Sequence, residues 1–136
     1  MKVSIKTLSG RALAWAVAKA LGYELHKDEL LAGQVMRGWW YSHPERPNVW
    51  SALKYFRPAS DWSLGGPITL KHQINLQYCT DLRDSNRKYV WADMGTNSAH
   101  GYSDGHGQPL VAAMRCLVAY HAHGREDMEI PEELLS

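Results

Sequence analysis

Apolar residues recur at helical spacing near both ends of this chain and lose that spacing in the middle. In residues 9–21 and again in residues 109–121, apolar side chains return every three or four positions, as on one face of a helix. Ser9 is a suitable N-cap and Gly22 a suitable stop for the first segment, and Pro109 suits the first turn of the second. The pattern predicts two amphipathic helices that each need a partner surface.

The middle of the chain has short apolar and aromatic runs separated by Gly and Pro, a pattern typical of short strands. Residues 75–80 and 88–94 alternate as two paired strands would, and residues 35–41 read as another strand. Neighbouring side chains of a strand point to opposite faces, so we expect one of Trp39 and Trp40 to be exposed.

Six other segments have weaker patterns. We expect a short edge strand over residues 2–6 and a short helix over Asp28–Leu31. Residues 50–57 fit either a short strand or a helical turn, and Pro67 suits the start of a helix over Ile68–Ile74. Residues 95–108 are rich in Gly and His and predict a long loop or an irregular hairpin, and we expect the tail 128–135 to dock.

These elements predict an α+β fold in which one small antiparallel sheet packs with the two main helices, as a single compact domain over residues 1–136. The length suits one domain, and 45% hydrophobic and 21% charged residues are ordinary for a soluble protein. No apolar run approaches the roughly 20 residues that span a bilayer. Cys79 and Cys116 form no disulfide framework, and a reducing cytoplasm suits the chain.

Charge argues against a nucleic-acid partner. The formal net charge is +1, whereas a sequence-independent DNA binder has a clear basic excess or stripe. Arg83, Arg87 and Lys88 cluster, but Asp81 and Asp84 are interleaved with them, so we interpret this stretch as a solvated turn.

The aromatic composition is unusual, because the chain has seven Tyr and six Trp but one Phe. Trp and Tyr join a large apolar body to a polar tip. Their excess indicates either a small core with many polar edges or a surface that stacks on ligands.

Asp61 and Trp62, beside Gly65-Gly66-Pro67, form the most suggestive constellation. An indole stacks on a base, and a carboxylate accepts hydrogen bonds from a base amine or a ribose hydroxyl. The alternative, which we favour slightly, is an indole folded over the core with Asp61 as a local cap. Gly65 and Gly66 precede the expected helix, where backbone N–H groups favour anions, although a tight turn is the more common use of such a pair.

Arg115 interrupts the apolar stripe of the late helix. Its side chain either lies on the solvent-exposed face of the helix or reaches toward an anion or a carboxylate. The sequence does not decide between these two interpretations.

A metal site is the weakest of the candidates. His100, Asp104 and His106 lie within seven residues, and a further ligand would have to come from His121, His123 or His72. A Gly-rich loop displaying polar side chains to water is the more common interpretation. No nucleophile elbow, phosphate loop or zinc-protease motif occurs, so we predict no metal, no cofactor and no catalytic residues.

Three blocks resemble one family in the right order. They are Leu8-Ser-Gly-Arg-Ala-Leu-Ala-Trp-Ala-Val-Ala-Lys-Ala, then Ser60-Asp-Trp-Ser-Leu-Gly-Gly-Pro-Ile, then Pro109-Leu-Val-Ala-Ala-Met-Arg-Cys-Leu-Val-Ala with Ile130-Pro-Glu-Glu-Leu. Together they resemble the NinX-type proteins of lambdoid phages and related prophages, over about residues 3–135. The motifs do not indicate a function for the residues that match them. The matching positions include Asp61, Trp62, Gly65, Gly66, Met114 and Arg115.

The resemblance implies a small accessory protein of a temperate phage that acts in the cytoplasm of its bacterial host. Such proteins often counter host defence, and some defence systems signal with nucleotide derivatives. We therefore expect a non-enzymatic protein that sequesters a nucleotide-like molecule, with stacking by Trp62 and by Trp39 or Trp40. Phosphates would meet Arg115 or the Gly65-Gly66 turn, and a homo-oligomer would complete the pocket.

Two other functions stay open. The exposed aromatics would equally anchor an adaptor for a host or phage replication or recombination protein. The third hypothesis is a metal-dependent hydrolase built on His100, Asp104 and His106.

Overall fold

The computed structural model describes residues 1–80, 88–95, 100–104, 108–123 and 125–135, with the backbone alone for residues 102–104. Within these ranges the chain forms three α-helices, namely α1 (Gly10–Ala20), α2 (Trp62–Lys71) and α3 (Pro109–His121). Its strands are β1 (Lys2–Ser4), β2 (Glu24–Leu31), β3 (Gln34–Ser42), β4 (Trp50–Ala52), β5 (Asn75–Thr80), β6 (Lys88–Asp93), β7 (His100–Asp104) and β8 (Asp127–Glu129). The α+β class is confirmed, but the described strands form three small antiparallel sheets instead of one.

The two predicted main helices are confirmed, and they form the centre of the core. Ser9 is the N-cap residue of α1, and Pro109 is the first residue of α3. The helices pack against each other, and both carry small side chains on the contact surface, which lets their backbones approach closely. Their most deeply buried side chains are Leu13, Ala16, Val17, Ala18, Ala112, Ala113, Met114, Cys116 and Leu117.

The first sheet has the order β2-β3-β4 and covers the α1 side of the core. Ala32 and Gly33, with φ of 50° and 82°, form the two-residue turn between paired Leu31 and Gln34. Two successive positive φ values favour a tight hairpin. The predicted helix over Asp28–Leu31 is therefore wrong, because those residues end β2.

The second sheet has the order β5-β6-β7 and lies against α3. The predicted pairing of residues 75–80 with 88–94 is confirmed, in the register that sets Asn75 opposite Asp93. Gly101 of β7 touches α3 so closely that a Cβ there would overlap the Ala112 carbonyl oxygen and the Cys116 amide nitrogen. Residues 81–87, with the cluster Arg83, Arg87, Asp81 and Asp84, lie outside the described ranges.

Helix α2 begins at Trp62, earlier than the predicted start at Ile68. The Asp61 side chain accepts a hydrogen bond from the backbone N–H of Ser63 and so caps the helix. Pro67 lies inside α2, and Gly65-Gly66 is helical. The expected turn and later helix start are wrong, because the Asp61 cap outweighs the breaking tendency of Gly-Gly-Pro.

The segments near the two ends pair with each other as β1 and β8, which form the third sheet. The predicted strand near residue 2 is therefore confirmed, and so is the docking of the tail. Ile130 and Leu134, which follow β8, are buried in the common core. Residues 50–57 contain both elements that the sequence allowed, since β4 is followed by a 3₁₀ turn at Leu53–Tyr55.

Candidate functional site

A cleft of about 640 Å³ opens where the three helices begin. Its lining comes from the start of α1, the turn after β4, the segment that leads into α2, and the starts of α2 and α3. The lining residues are Ser9, Gly10, Arg11, Ala14, Leu53, Lys54, Phe56, Arg57, Pro58, Ala59, Ser60, Trp62, Gln108, Pro109, Leu110 and Val111. The volume falls within the range of small-molecule sites.

The floor of the cleft is apolar and rigidly packed. Leu53, Phe56, Pro58 and Leu110 are buried, and the 3₁₀ turn at Leu53–Tyr55 directs the side chain of Leu53 into the core. A floor of this kind favours a planar or apolar ligand group, because the group loses water-exposed surface on binding.

The rim of the cleft is basic. Arg11, Lys54 and Arg57 are exposed and line the cleft, and no Asp or Glu belongs to the lining. The Arg57 Nε donates to the Lys54 carbonyl at 3.2 Å, and an Arg11 guanidinium nitrogen donates to the Glu133 carbonyl at 2.9 Å. These backbone contacts restrict where the two guanidinium groups lie at the rim.

The helix starts add to this positive potential. Ser9 and Gln108, the N-cap residues of α1 and α3, make no side-chain capping hydrogen bond. The first N–H groups of a helix carry partial positive charge and favour anions. A cleft that collects basic side chains and two such helix starts is electrostatically suited to an anionic group.

Trp62 lies at the rim with 57% of its surface exposed. It is the first residue of α2, directly after the Asp61 cap. Asp61 itself does not line the cleft: its carboxylate accepts hydrogen bonds from the N–H and the hydroxyl of Ser63, at 2.9 and 2.6 Å. These bonds lower the Asp61 pKa, so the capping role foreseen as the alternative is the one in the structure.

Gly65 and Gly66 have different surroundings within α2. A Cβ on Gly65 would overlap the Pro58 carbonyl oxygen and come within 2.9 Å of Leu110 Cδ2, whereas one on Gly66 would have Trp62 Cε3 as its nearest neighbour at 3.7 Å. Neither glycine lines the cleft. Gly65 instead lets α2 close against Pro58 and Leu110, two residues that form the cleft floor.

Arg115, Trp39 and Trp40 lie away from the cleft. The Arg115 Nε donates to the Leu8 carbonyl at 2.8 Å, so this half-buried side chain ties α3 to the residue before Ser9. Trp39 faces the core and meets the Trp15 ring edge-on, with the ring centroids 6.3 Å apart.

The Trp40 indole N–H donates to the Arg37 carbonyl at 2.7 Å. Trp40 thus lies on the face of the first sheet opposite Trp39, as the strand prediction required. Both rings are half-buried, so the prediction that one of the two indoles is exposed is wrong.

The structure describes only some of the side chains that were predicted as metal candidates. His106 and the Asp104 side chain lie outside the described part, and the His100 ring packs on Trp91 with centroids 4.8 Å apart. Among the described side chains, no three His, Cys, Asp or Glu residues are grouped to hold a metal ion.

The cysteines are both free, as their spacing predicted. Burial, with a smaller contribution from the Asp93 carboxylate, raises the pKa of the Cys116 thiol to about 12. Cys116 is therefore a thiol that packs in the core.

Sequence reasoning missed the basic rim residues Arg11, Lys54 and Arg57. Lys54 and Arg57 lie in one segment of mixed character, Arg11 lies far from them in the sequence, and only the fold brings the three to one cleft. A partial signal existed in Ser9-Gly10-Arg11, because a cation in the first turn of a helix opposes the helix dipole and so invites a functional explanation.

A comparison with protein-family models decides the relationship. The model described as Bacteriophage P22, NinX matches residues 4–121. The chain belongs to this NinX family. The match includes every residue of the cleft lining and ends before β8. The resemblance of the N-terminal, central and α3 blocks is thereby confirmed, while the Ile130–Leu134 block lies beyond the matched residues.

A search of curated proteins found no match to this NinX-family chain. Within the part that the structure describes, no helix has the length and apolar character that crossing a bilayer requires.

Proposed function

We propose that this NinX-family protein is a non-enzymatic phage accessory protein that sequesters an anionic nucleotide derivative serving as a host defence signal. The observation that carries the proposal is the cleft, with its apolar floor, its basic rim without a lining carboxylate, and the exposed ring of Trp62. Membership of a bacteriophage family supplies the biological setting.

Each part of such a ligand has a matching feature in the cleft. A base stacks on the exposed Trp62 ring, an interaction of about 1–3 kcal/mol per base. Phosphate oxygens accept hydrogen bonds from Arg57 and Lys54 and from the N–H groups at the start of α1. The sugar and the second face of the base lie over the floor formed by Phe56, Pro58 and Leu110.

Binding without turnover fits the chemistry of the lining. The lining contains no His, Cys, Asp or Glu, the side chains that most often act as general acids, bases or nucleophiles. A site of this composition holds an anion but offers little to cleave it with, and so favours sequestration.

The direct test is isothermal titration calorimetry of purified protein against mononucleotides, cyclic mono- and dinucleotides, and ADP-ribose derivatives. We expect one of these to bind, and Trp62→Ala to weaken its binding roughly 5- to 150-fold, the equivalent of about 1–3 kcal/mol. Arg57→Ala should weaken the same ligand by a similar factor, because it removes a charged hydrogen-bond donor.

Matched controls come from outside the cleft. Arg46→Ala removes an exposed arginine from the loop between β3 and β4, and Tyr120→Ala removes a 41% exposed ring near the end of α3 that does not line the cleft. Both should bind as the wild type does. No binding by any compound, or equal losses in cleft and control variants, would contradict the proposal.

In cells, expression of the wild type should restore phage plating on a host whose defence uses the bound signal, and Trp62→Ala should not. Mass spectrometry should recover the ligand chemically unchanged. Conversion of the ligand would favour the hydrolase alternative, and protection that persists in Trp62→Ala together with one stoichiometric captured protein would favour the adaptor.

A further inference from the structure

The second sheet has β5 as one of its two edge strands, as far as the structure describes the chain. In the order β5-β6-β7, β5 pairs with β6 along its whole length. Among the described residues, no other strand pairs with it. Along the six residues of β5, roughly 20 Å at strand spacing, every second residue presents its backbone N–H and C=O to a further strand.

The edge of β2 shows how this protein protects such a strand elsewhere. The pairing of β2 with β3 shifts register between Lys27 and Glu29, and Asp28 there has a φ of 51°. The Lys27 N–H is bonded to the Glu29 carboxylate. A bulge and a run of charged residues are standard defences against edge-to-edge pairing.

β5 has none of these defences. Its sequence, Asn75-Leu-Gln-Tyr-Cys-Thr80, contains no charged residue and no proline, and its pairing with β6 has no register shift. The formal charge of the strand is zero, so a second copy of the same strand meets no like-charge repulsion along it.

The second observation is the exposure of the Tyr78 side chain. In the pairing with β6, Leu76 stands opposite Ala92 and Tyr78 opposite Val90, and both β6 residues are buried on the face that α3 covers. Tyr78 is therefore on the core-facing side of the sheet, yet 71% of its surface is exposed. Leu76 packs against the core, whereas Tyr78, on the same face of β5, is largely exposed.

We infer that a second copy of this chain binds at β5, with the two β5 strands antiparallel about a two-fold axis normal to the sheet. Directly opposite residues of an antiparallel pair share a face, so an axis through Tyr78 or through Gln77 joins both core-facing sides. The result is a continuous six-stranded sheet in which Tyr78 lies opposite the partner's Tyr78 for the first axis and opposite the partner's Leu76 for the second. The surface is isologous, as expected for a closed dimer.

The test is sedimentation velocity from 1 to about 200 µM, a range that covers ordinary homodimers. The 15.4 kDa chain should sediment with twice its monomer mass at the higher concentrations. Tyr78→Lys, which places a charge at the centre of the shared edge, should raise the dissociation constant at least tenfold. Tyr55→Lys, at an equally exposed tyrosine (70% against 71%), should not.

Hydrogen exchange of the backbone amides tests whether β5 is the surface through which the two copies bind. Amides of residues 75–80 should gain protection as the wild-type concentration rises, and should not in Tyr78→Lys. Circular dichroism should show that both lysine variants stay folded. A wild type that is monomeric throughout the range contradicts the inference. So does a dimer that Tyr78→Lys leaves intact, or protection of β5 that appears only when an extended peptide from another protein is added.

Discussion

Gly65 is the residue on which the geometry of the cleft depends most directly. Its missing side chain is what lets α2 lie against the Pro58 carbonyl and Leu110. Gly66, the next residue of the same helix, has room for a methyl group. Two adjacent helical glycines thus have opposite tolerances for the same small change.

We predict that Gly65→Ala lowers the free energy of unfolding by about 1–3 kcal/mol, the usual cost of forcing an extra methyl group into packed structure. Gly66→Ala should leave it unchanged or raise it by up to about 1 kcal/mol, because alanine is the better helix former. Urea denaturation followed by circular dichroism measures both. Equal effects at the two positions would mean that α2 does not rest on Pro58 as described.

Helix ends are the elements through which this protein responds to pH. Burial lowers the pKa of His72, aided by the nearby charges of Lys71 and His121, and burial together with His123 lowers that of His121. The Nε2 of His72 is buried and has no hydrogen-bond partner among the described residues. Protonation there would place a charged N–H where nothing described accepts it.

The sign of the effect follows from proton binding. Below a pH of about 6.5, the ordinary histidine value, the unfolded chain binds more protons than the folded one, so stability falls as the pH drops toward the folded-state pKa values. We predict lower urea midpoints at pH 5.5 than at pH 7.5. The double variant His72→Gln/His121→Gln should reduce that difference, whereas His43→Gln, at an exposed histidine, should not.

The pH range of this histidine effect is separate from the lower range in which protonation of carboxylates destabilises the fold. Hydrogen bonds and ion pairs lower the pKa values of Asp93, Glu129 and Glu133. Their contribution is present above the ordinary carboxyl pKa of about 4 and is lost only as the pH falls below it. A stability curve that is flat from pH 7.5 to 5.5 would contradict the histidine prediction.

The elements differ in how far local sequence determined them. The bounds of α1 and α3 followed from periodicity, because each helix has one face fixed by burial, and the pairing of β5 with β6 followed from the alternation along both segments. The β2–β3 hairpin was missed because its turn, Ala32-Gly33, places a non-glycine residue at positive φ, and few residues other than Gly, Asn and Asp predict that conformation. The start of α2 was missed because Asp61 caps it before a Gly-Gly-Pro sequence that usually breaks helices.

The candidate site was less predictable than the fold. Trp62 was recognised as a ligand candidate, and it does line the cleft. The basic side chains come from α1 and from the turn after β4, which are distant in sequence and carry no shared motif. Their convergence is a property of tertiary packing, and no local pattern encodes it.

At the scale of the whole molecule, the segment beyond the family match is part of the core. β8 pairs with β1, and Ile130 and Leu134 are 1% and 3% exposed. Glu133 joins this segment to the rest through Lys27 and through its carbonyl contact with Arg11. The last turn therefore steadies one of the basic residues of the cleft.

We predict that Leu134→Ala lowers the free energy of unfolding by about 2–5 kcal/mol, as for other buried leucines. Leu135→Ala, at the neighbouring leucine, which is 37% exposed against 3% for Leu134, is the control and should cost less. Thermal and urea unfolding measure both. A small effect of Leu134→Ala would mean that residues 130–134 dock without contributing to the core.

Because Trp62 is exposed, the intrinsic tryptophan fluorescence of the protein can report ligand binding at the cleft. Of the six tryptophans, all within the described ranges, Trp62 alone is largely exposed, and the other five are buried or half-buried. The red edge of the intrinsic emission and its quenching by iodide should therefore come mainly from the rim of the cleft. A bound aromatic ligand would shield that ring, so occupancy can be read from unlabelled protein by the loss of iodide quenching.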